Sequence, residues 1–295
     1  MKFQTTQRRG FTLIELLTSM AITVVILAVL IGTTRMTMDT WKESRDRARA
    51  ATQAKEGLDI LAKDLEGAVI REGNNFEWMY VMMDDNGNDM GPSSGEIKNP
   101  IEFCFLTAAT DRYDGKIGTS DDKGGDVSAV IYRLVYKDQF DGDYPVYSLY
   151  RKLVNPDETF EDFLAQEDLS TNVDSNEVIE AGNFVAENIY NLSVTLVVEY
   201  TDTAGKIIRK RLPVIDGEDV EEVHVRGGEL KGDGDSDLVQ GHSGARIVSI
   251  EIGAVVLNDS AVASLSKQKF TERSFKELLK ENSNYFTKSV LMARP

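Results

Sequence analysis

One long apolar segment near the N-terminus constrains this chain more than any other feature of its sequence. Residues 11–32 contain a single charged side chain, that of Glu15. At about 1.5 Å per residue, a helix of this length spans roughly 33 Å, enough to cross the hydrocarbon core of a bilayer. The segment is longer than the apolar core of a secretory signal, and a small-x-small cleavage site does not follow it. The pair Arg8-Arg9 on its short side predicts a cytoplasmic N-terminus and a chain that then crosses the membrane.

Glu15 is the unusual residue of this segment. A carboxylate in hydrocarbon is costly unless it is paired, so an intramembrane acid points to a functional role with a specific partner. The alternative is an ordinary anchor helix in which Glu15 reaches the lipid headgroups, since it lies close to the membrane edge.

The residues around Glu15 carry a family resemblance. The stretch GFTLIE, residues 10–15, follows a basic leader and precedes the apolar run. It resembles the type IV prepilin motif, in which the leader ends in Gly and the mature chain begins with Phe. The resemblance implies that a prepilin peptidase cuts between Gly10 and Phe11 on the cytoplasmic side and methylates the new amine. The apolar helix is then kept in the mature protein.

This resemblance supplies a partner for Glu15. It would be the fifth residue of the mature chain, one helical turn from the new α-amino group of Phe11. In a helical filament of such subunits, the amine of one chain can meet the carboxylate of its neighbour. The charge of Glu15 is then paired inside an apolar bundle.

The helix is predicted to continue well beyond the apolar segment. The chain has no proline before Pro92, so nothing in that stretch forces an early break. Apolar residues then recur at three- and four-residue spacing, opposite a charged face. They are Leu58, Leu61, Leu65, Ala68 and Val69. We predict one helix from about Thr12 to Arg71, bent or loosened near Gly32 and Gly57, with its second half packed on a sheet.

The remainder of the chain predicts antiparallel strands separated by acidic, Gly-rich loops. The predicted strands are residues 76–83, 101–107, 127–137, 144–154, 188–200, 206–214, 245–257 and 285–293, and residues 271–282 are predicted to form a short helix. The sequence therefore predicts an α+β fold, a long N-terminal helix packed on an antiparallel head. Its segments are a leader (1–10), a transmembrane or filament-core helix (11–32), its amphipathic continuation (33–71) and an acidic β-rich head (72–295).

Charge and cysteine content limit the partners of the head. Residues 1–56 carry nine Lys/Arg and five Asp/Glu, and the whole chain has a formal net charge of −16. The rest of the chain is therefore strongly acidic, which argues against a nucleic-acid partner and suits a domain outside the cytoplasmic membrane. Cys104 is the only cysteine, which excludes an intramolecular disulfide. Its apolar surroundings predict a small buried core residue.

Several segments of the head also resemble one subfamily. LDILAKDLEGAVIR, VIYRLVYK with VYSLYRKLV, NIYNLSVTLVVEYTD and ARIVSIEIGAVVL are similar, in order, to segments of J-type minor pseudopilins of type II secretion. The sequence departs from that pattern by acidic insertions at 84–99, 111–126, 155–183 and 215–244. Its ending, NYFTKSVLMARP, is more similar to the closing strand of minor pilins of the PilW type.

The resemblance implies a structural subunit of a secretion pseudopilus without catalytic activity. The size and charge of the acidic head favour a low-copy or tip position. The implied partners are other minor pseudopilins, the major pseudopilin, the prepilin peptidase, the inner-membrane assembly platform and membrane lipid before assembly. The head would lie in the periplasm of a bacterium. Two alternatives stay open: a minor pilin of a pilus for adhesion, motility or DNA uptake, and a membrane-tethered enzyme.

The acidic loops suggest calcium as the one candidate cofactor. In GDGDSD, Asp233, Asp235 and Asp237 alternate, so three carboxylates could turn toward one cation. The stretch departs from an EF-hand loop, because Leu238 stands at the position of the turn glycine and Gly244 stands at the position of the bidentate Glu. The alternative is solvated acidic surface. Both histidines, at 224 and 242, are predicted to lie in Gly-rich loops, outside any GxSxG or HExxH motif.

Overall fold

The computed structural model describes residues 12–71, 75–83, 97, 99–108, 125–138, 145–215, 219–232, 236–239, 243–265 and 270–292. Within them the helices are α1 (Leu13–Glu66), α2 (Pro156–Glu158), α3 (Ser175–Val178), α4 (Asp259–Leu265) and α5 (Glu272–Asn282). The strands are β1 (Glu77–Met83), β2 (Ile101–Thr107), β3 (Ser128–Lys137), β4 (Val146–Leu153), β5 (Phe184–Glu187), β6 (Ile189–Thr201), β7 (Ile207–Val214), β8 (Glu222–Arg226), β9 (Glu229–Gly232), β10 (Ser236–Asp237), β11 (Ser243–Leu257) and β12 (Ser283–Leu291).

The chain divides into two compact units, residues 1–48 and 49–295. The described part of the first unit is helical, and the second unit contains the rest of α1 and all the strands. The predicted α+β class, a long N-terminal helix followed by antiparallel strands, is confirmed.

The strands form two antiparallel sheets. The larger sheet has the order β10-β9-β8-β1-β2-β3-β4-β5, and the smaller has the order β12-β11-β6-β7. The chain first passes from the larger sheet to the smaller through a single residue, Asn188, which lies between β5 and β6 with a φ of 64°. Its side-chain amide donates to Asp259 at 2.7 Å, and its carbonyl accepts from the Leu257 amide at 2.8 Å. These bonds hold the left-handed turn that a non-glycine residue rarely adopts.

The second half of α1 packs into the head through small and branched apolar residues. Its buried positions are Ala50, Ala54, Gly57, Leu58, Leu61, Ala62, Asp64 and Leu65. They recur at the helical period, as the sequence predicts for its apolar face. Each fully buried leucine contributes about 1.5–3 kcal/mol relative to an exposed one, so this stripe fixes the helix on the head.

The larger sheet is covered on both faces, which explains its apolar central strands. In β4, Arg151 binds Asp64 of α1, whereas the next residue, Lys152, binds Glu177 of α3. Because successive strand residues point to opposite faces, α1 covers one face and the segment 155–183 covers the other. Every residue of β2 is accordingly buried, Cys104 included, as predicted.

Helix α1 ends earlier than predicted, at Glu66 and not at Arg71. The next residues pair with the end of β2: Ala68 forms a β-bridge with Thr107, and the Val69 amide donates to the Leu106 carbonyl at 2.8 Å. The apolar period of the helix thus continues through Ala68 and Val69, although the backbone of these residues pairs with β2. Tertiary pairing overrides the local helical signal here.

Two segments predicted as loops or insertions contain regular structure. Residues 215–244 supply β8, β9 and β10, which extend the larger sheet. Residues 155–183 form short helical turns, α2 and α3 among them. The strand β5 and the helix α4 are likewise absent from the predicted elements. These elements are short and polar, so neither a helical nor a strand period stands out in them.

Substitution of Gly57 by Ala is expected to stabilise the head by up to about 1 kcal/mol. Glycine is the weaker helix former by that amount, and an added Cβ would lie 3.5–3.6 Å from side-chain atoms of Ile189, Leu149 and Ala186, which is ordinary contact. Thermal unfolding of the full chain in detergent measures the effect. Gly57→Leu serves as the contrast, because its larger side chain overfills the same space. A lower melting temperature for the alanine variant would contradict the packing described here.

Candidate functional site

In the part of the chain that the structure describes, the first half of α1 is an exposed apolar surface. The large apolar side chains between Leu13 and Met38 are at least half exposed. A window of this helix has a mean hydropathy of 2.5, and among the described residues it is the one helix long and apolar enough to span a membrane. Such a surface requires lipid or other helices around it.

The hydroxyl groups on this half of α1 are satisfied within the helix itself. Thr18, Ser19, Thr23, Thr33 and Thr34 each donate to a backbone carbonyl three or four residues earlier, at 2.7–3.1 Å. Ser and Thr commonly bond back in this way. These side chains therefore need no partner outside the helix when hydrocarbon surrounds it.

Glu15 lies in the first turn of α1 and is bound to the residue that precedes the helix. Its Oε2 accepts from the backbone amide of Thr12 at 3.0 Å and from the Thr12 hydroxyl at 2.8 Å. These two bonds orient the carboxylate toward the N-terminal end of the helix, where a helix favours negative charge. Gly10 and Phe11 lie outside the described residues, so peptidase cleavage at this junction and the pairing of Glu15 with a neighbour's amine stay predictions.

A second acid of α1, Asp64, fastens the helix to the larger sheet. Its side chain is 1% exposed. Arg151 donates to both carboxylate oxygens, at 2.6 and 2.9 Å, and the Tyr132 hydroxyl donates to Oδ2 at 2.5 Å. Burial lowers the pKa of Arg151, but the hydrogen bonds and charges of Asp64 and Tyr132 together raise it above its ordinary value. This site has no local sequence signal, because Asp64 is one of several acids in residues 55–66 and its partners lie far along the chain.

A bulge in β1 brings another carboxylate against a histidine. The pairing of β1 with β8 shifts register between Glu77 and Met79, so Glu77 stands opposite Arg226 while Tyr80 stands opposite His224. Without the shift, residues 77 and 80 would point to opposite faces of the sheet. Bulges re-aim side chains in this way and are frequent beside functional sites. Here the bulge places Glu77 on the face that the segment 155–183 covers.

Glu77 is fully buried and lies against an imidazole, a backbone amide and a guanidinium. Nδ1 of His224 lies 2.5 Å from its Oε1, the backbone amide of Leu169 donates to Oε2 at 2.6 Å, and Nε of Arg226 lies 3.8 Å from Oε1. Asp168, half-buried, brings a further carboxylate to the same cluster. Its Oδ1 accepts from the backbone amide of Ser170 at 2.9 Å, which caps a short helical turn.

His224 is protonated more readily in this cluster than in water. Burial lowers its pKa, but the hydrogen bond and the charge of Glu77, with Glu222 and Asp168 nearby, raise it above the ordinary value. Its prediction as a loop residue is wrong, because His224 lies in the middle of β8. The apolar–polar alternation of EVHVR, residues 222–226, is the signal that could have identified the strand.

The residues predicted to bind calcium are only partly described. Asp233 and Asp235 lie outside the described residues, as do His242 and most of the acidic segments 84–99 and 111–126. Asp237 lies in β10, where its carboxylate accepts from Lys231 Nζ at 2.5 Å. Calcium binding there stays a prediction.

Comparison with known proteins adds one finding, at the N-terminus. Residues 5–31 match the family model of the prokaryotic N-terminal methylation motif. No curated protein and no solved structure matches the chain. The matched motif implies processing by a prepilin peptidase and assembly with other pilins, and together with the exposed apolar helix it supports a type IV pilin-like protein with a membrane-anchoring segment.

Proposed function

We propose that this chain is a structural minor pseudopilin of a type II secretion-like pseudopilus. It would wait in the inner membrane, with its N-terminus cytoplasmic and its head in the periplasm, and then enter the filament through α1. The observation that carries this proposal is the N-terminal methylation motif at residues 5–31, within which a long exposed apolar helix begins with Glu15 in its first turn.

A low-copy or tip position follows from the size and charge of the head. Residues 57–295 carry a strong excess of Asp and Glu over Lys and Arg. Identical heads packed side by side along a filament would repel one another at low ionic strength. A subunit that stands alone at the tip, or among less acidic neighbours, avoids this repulsion.

We propose that the head has no catalytic activity. The single thiol, that of Cys104, is fully buried; burial raises its pKa, and the charges of Glu102 and Glu77 raise it further. A thiol in that state is a poor nucleophile. Hydrolase activity in the purified full chain, lost on substitution of a specific side chain, would contradict this view.

The decisive test is the intact mass and N-terminal sequence of the protein extracted from membranes. We expect a chain that begins at Phe11, carries one added methyl group and keeps the apolar helix. Cleavage should stop when Gly10 is replaced by Val, because the peptidase motif requires glycine before the cut. A mature protein that retains residues 1–10, or that has lost residues 11–32, would overturn the proposal.

A deletion strain distinguishes secretion from a pilus function. Loss of extracellular enzymes from the culture medium, with motility and DNA uptake unchanged, is the result expected for a pseudopilin. The reverse pattern would favour the alternative, a minor pilin used in adhesion, motility or DNA uptake.

A further inference from the structure

We propose that Glu77, Asp168 and His224 form a binding site for a divalent transition-metal ion, with Zn²⁺ as the best-fitting ion. Each residue offers one ligand atom, and these three atoms lie within 4.8 Å of one another. The site is separate from the N-terminal helix and does not depend on the proposed function.

The three ligands come from three different parts of the head. Glu77 lies in β1 and His224 in β8, which are neighbouring strands of the larger sheet. Asp168 belongs to the segment 155–183, which covers that face. The Glu77 amide also donates to the Gln166 carbonyl at 3.0 Å, so the backbone already holds this segment against β1 beside the cluster. An ion here would join the segment to the sheet.

The donor set favours a transition metal over calcium. One imidazole nitrogen and two carboxylate oxygens are ligands that Zn²⁺ accepts, with water completing four-coordination. Calcium takes six to eight oxygen ligands and has little use for a nitrogen. The His224 side chain is 12% exposed and that of nearby Glu222 is 28% exposed, so the cluster lies close enough to solvent for an ion to enter.

The charges of the cluster also suit a divalent ion. Glu77, Asp168 and Glu222 bring three carboxylates, and Arg226 brings one guanidinium. When the imidazole is neutral, two negative charges are left, which one divalent cation balances. Buried carboxylates require such compensation.

The geometry needs a modest adjustment to receive an ion. Ligands about 2.1 Å from a tetrahedral Zn²⁺ lie roughly 3.4 Å apart. The pair His224 Nδ1 and Glu77 Oε1, now 2.5 Å apart, must therefore separate by roughly 1 Å, as the ion takes the place of the shared proton. Rotation of the side chains supplies that movement without moving the strands.

Metal binding by the full chain in detergent, stripped with chelator and titrated with Zn²⁺, tests the proposal. We expect one Zn²⁺ per chain by elemental analysis after desalting, and a melting temperature that rises with added Zn²⁺. Asp168→Asn is the informative variant, because Asn caps a helical turn as well as Asp does but is a weaker zinc ligand. Its Zn²⁺ affinity should fall about tenfold or more, with an unchanged melting temperature in chelator.

Asp174→Asn is the matched control. Asp174 caps α3 in the same covering segment, accepting from the Asn176 amide at 2.8 Å, and it is not part of the cluster. Its Zn²⁺ affinity should equal that of the native chain. No retained Zn²⁺ in the native chain, or equal losses in the two variants, would overturn the proposal. Stabilisation by Ca²⁺ alone, insensitive to Asp168→Asn, would also overturn it and would point to the acidic loops.

Discussion

Replacement of Asp64 by Ala is expected to destabilise the head by about 3–5 kcal/mol, the usual loss when one partner of a buried ion pair is removed. The substitution leaves the Arg151 guanidinium, whose side chain is 14% exposed, without its carboxylate. It also deprives the buried Tyr132 hydroxyl of its acceptor. Since Asp64 joins α1 to β3 and β4, the helix and the sheet lose a shared anchor. Thermal unfolding of the full chain in detergent should show a melting temperature lower by about 6–20 °C.

Asp59→Ala is the matched control for this experiment. Asp59 lies on the same helix and forms an ion pair with Lys288 of β12, whose Nζ lies 2.6 Å from Oδ1 of Asp59. Both side chains are more than one-third exposed. Exposed ion pairs contribute little to stability, so this variant should unfold almost as the native chain does. The double variant Asp64→Leu with Arg151→Met should recover part of the loss, because it removes both buried charges together. Equal effects of Asp64→Ala and Asp59→Ala would contradict the anchoring role of Asp64.

Replacement of Glu15 by Leu is expected to abolish filament assembly while leaving membrane insertion intact. Leucine makes the apolar segment more favourable for insertion, so a defect in anchoring is not expected. The variant lacks the carboxylate that we expect to meet the Phe11 amine of a neighbouring subunit. The measurement is the amount of subunit in sheared or cross-linked filaments, compared with the amount in the membrane fraction.

Two further variants separate charge from polarity in this result. Glu15→Gln keeps an acceptor for Thr12 but removes the charge, and it should fail to assemble as well. Glu43→Leu removes an acidic charge of the same helix outside the apolar run, where Glu43 binds Arg47 at 2.6 Å, and it should assemble normally. Filaments at native levels from the Glu15→Leu chain would refute the pairing of Glu15 with a neighbour.

The strands rich in β-branched and aromatic residues could be predicted from the sequence. Residues 101–107 were predicted as a strand and form β2 with the same bounds, and β3, β4, β6 and β7 lie within one or two residues of their predicted limits. Their apolar runs are long and are bounded by Gly, Asp and Asn, which makes the strand signal strong. In the sequence, short polar stretches separate β3 from β4 and β6 from β7, and the strands of each pair lie antiparallel to each other.

The features set by tertiary contacts could not be predicted. The end of α1 depends on the pairing of residues 68 and 69 with β2, which lies about 40 residues away in sequence. The first change from the larger sheet to the smaller takes place at the left-handed turn of Asn188. Neither leaves a local pattern in composition or period.

The functional residues show the same division between local and distant signals. Glu15 was identified because one charge in a long apolar run is conspicuous. Asp64 was not, because acidic residues are common in residues 55–66 and its partners, Tyr132 and Arg151, lie 68 and 87 residues further on. Glu77 and His224 are 147 residues apart, and the bulge that joins them has no recognisable sequence signature.

The Ser and Thr hydroxyls on α1 bond to carbonyls of the same helix, and this affects how a subunit could move from the lipid bilayer into a filament. Because these alcohol groups already bind carbonyls of the same rod, rotation of the rod about its axis neither makes nor breaks a hydrogen bond. It can turn or shift along its axis among lipid tails, and later among neighbouring rods, with little change in polar energy. We therefore expect Glu15, at one end of that stretch, to be the group that selects a single axial position.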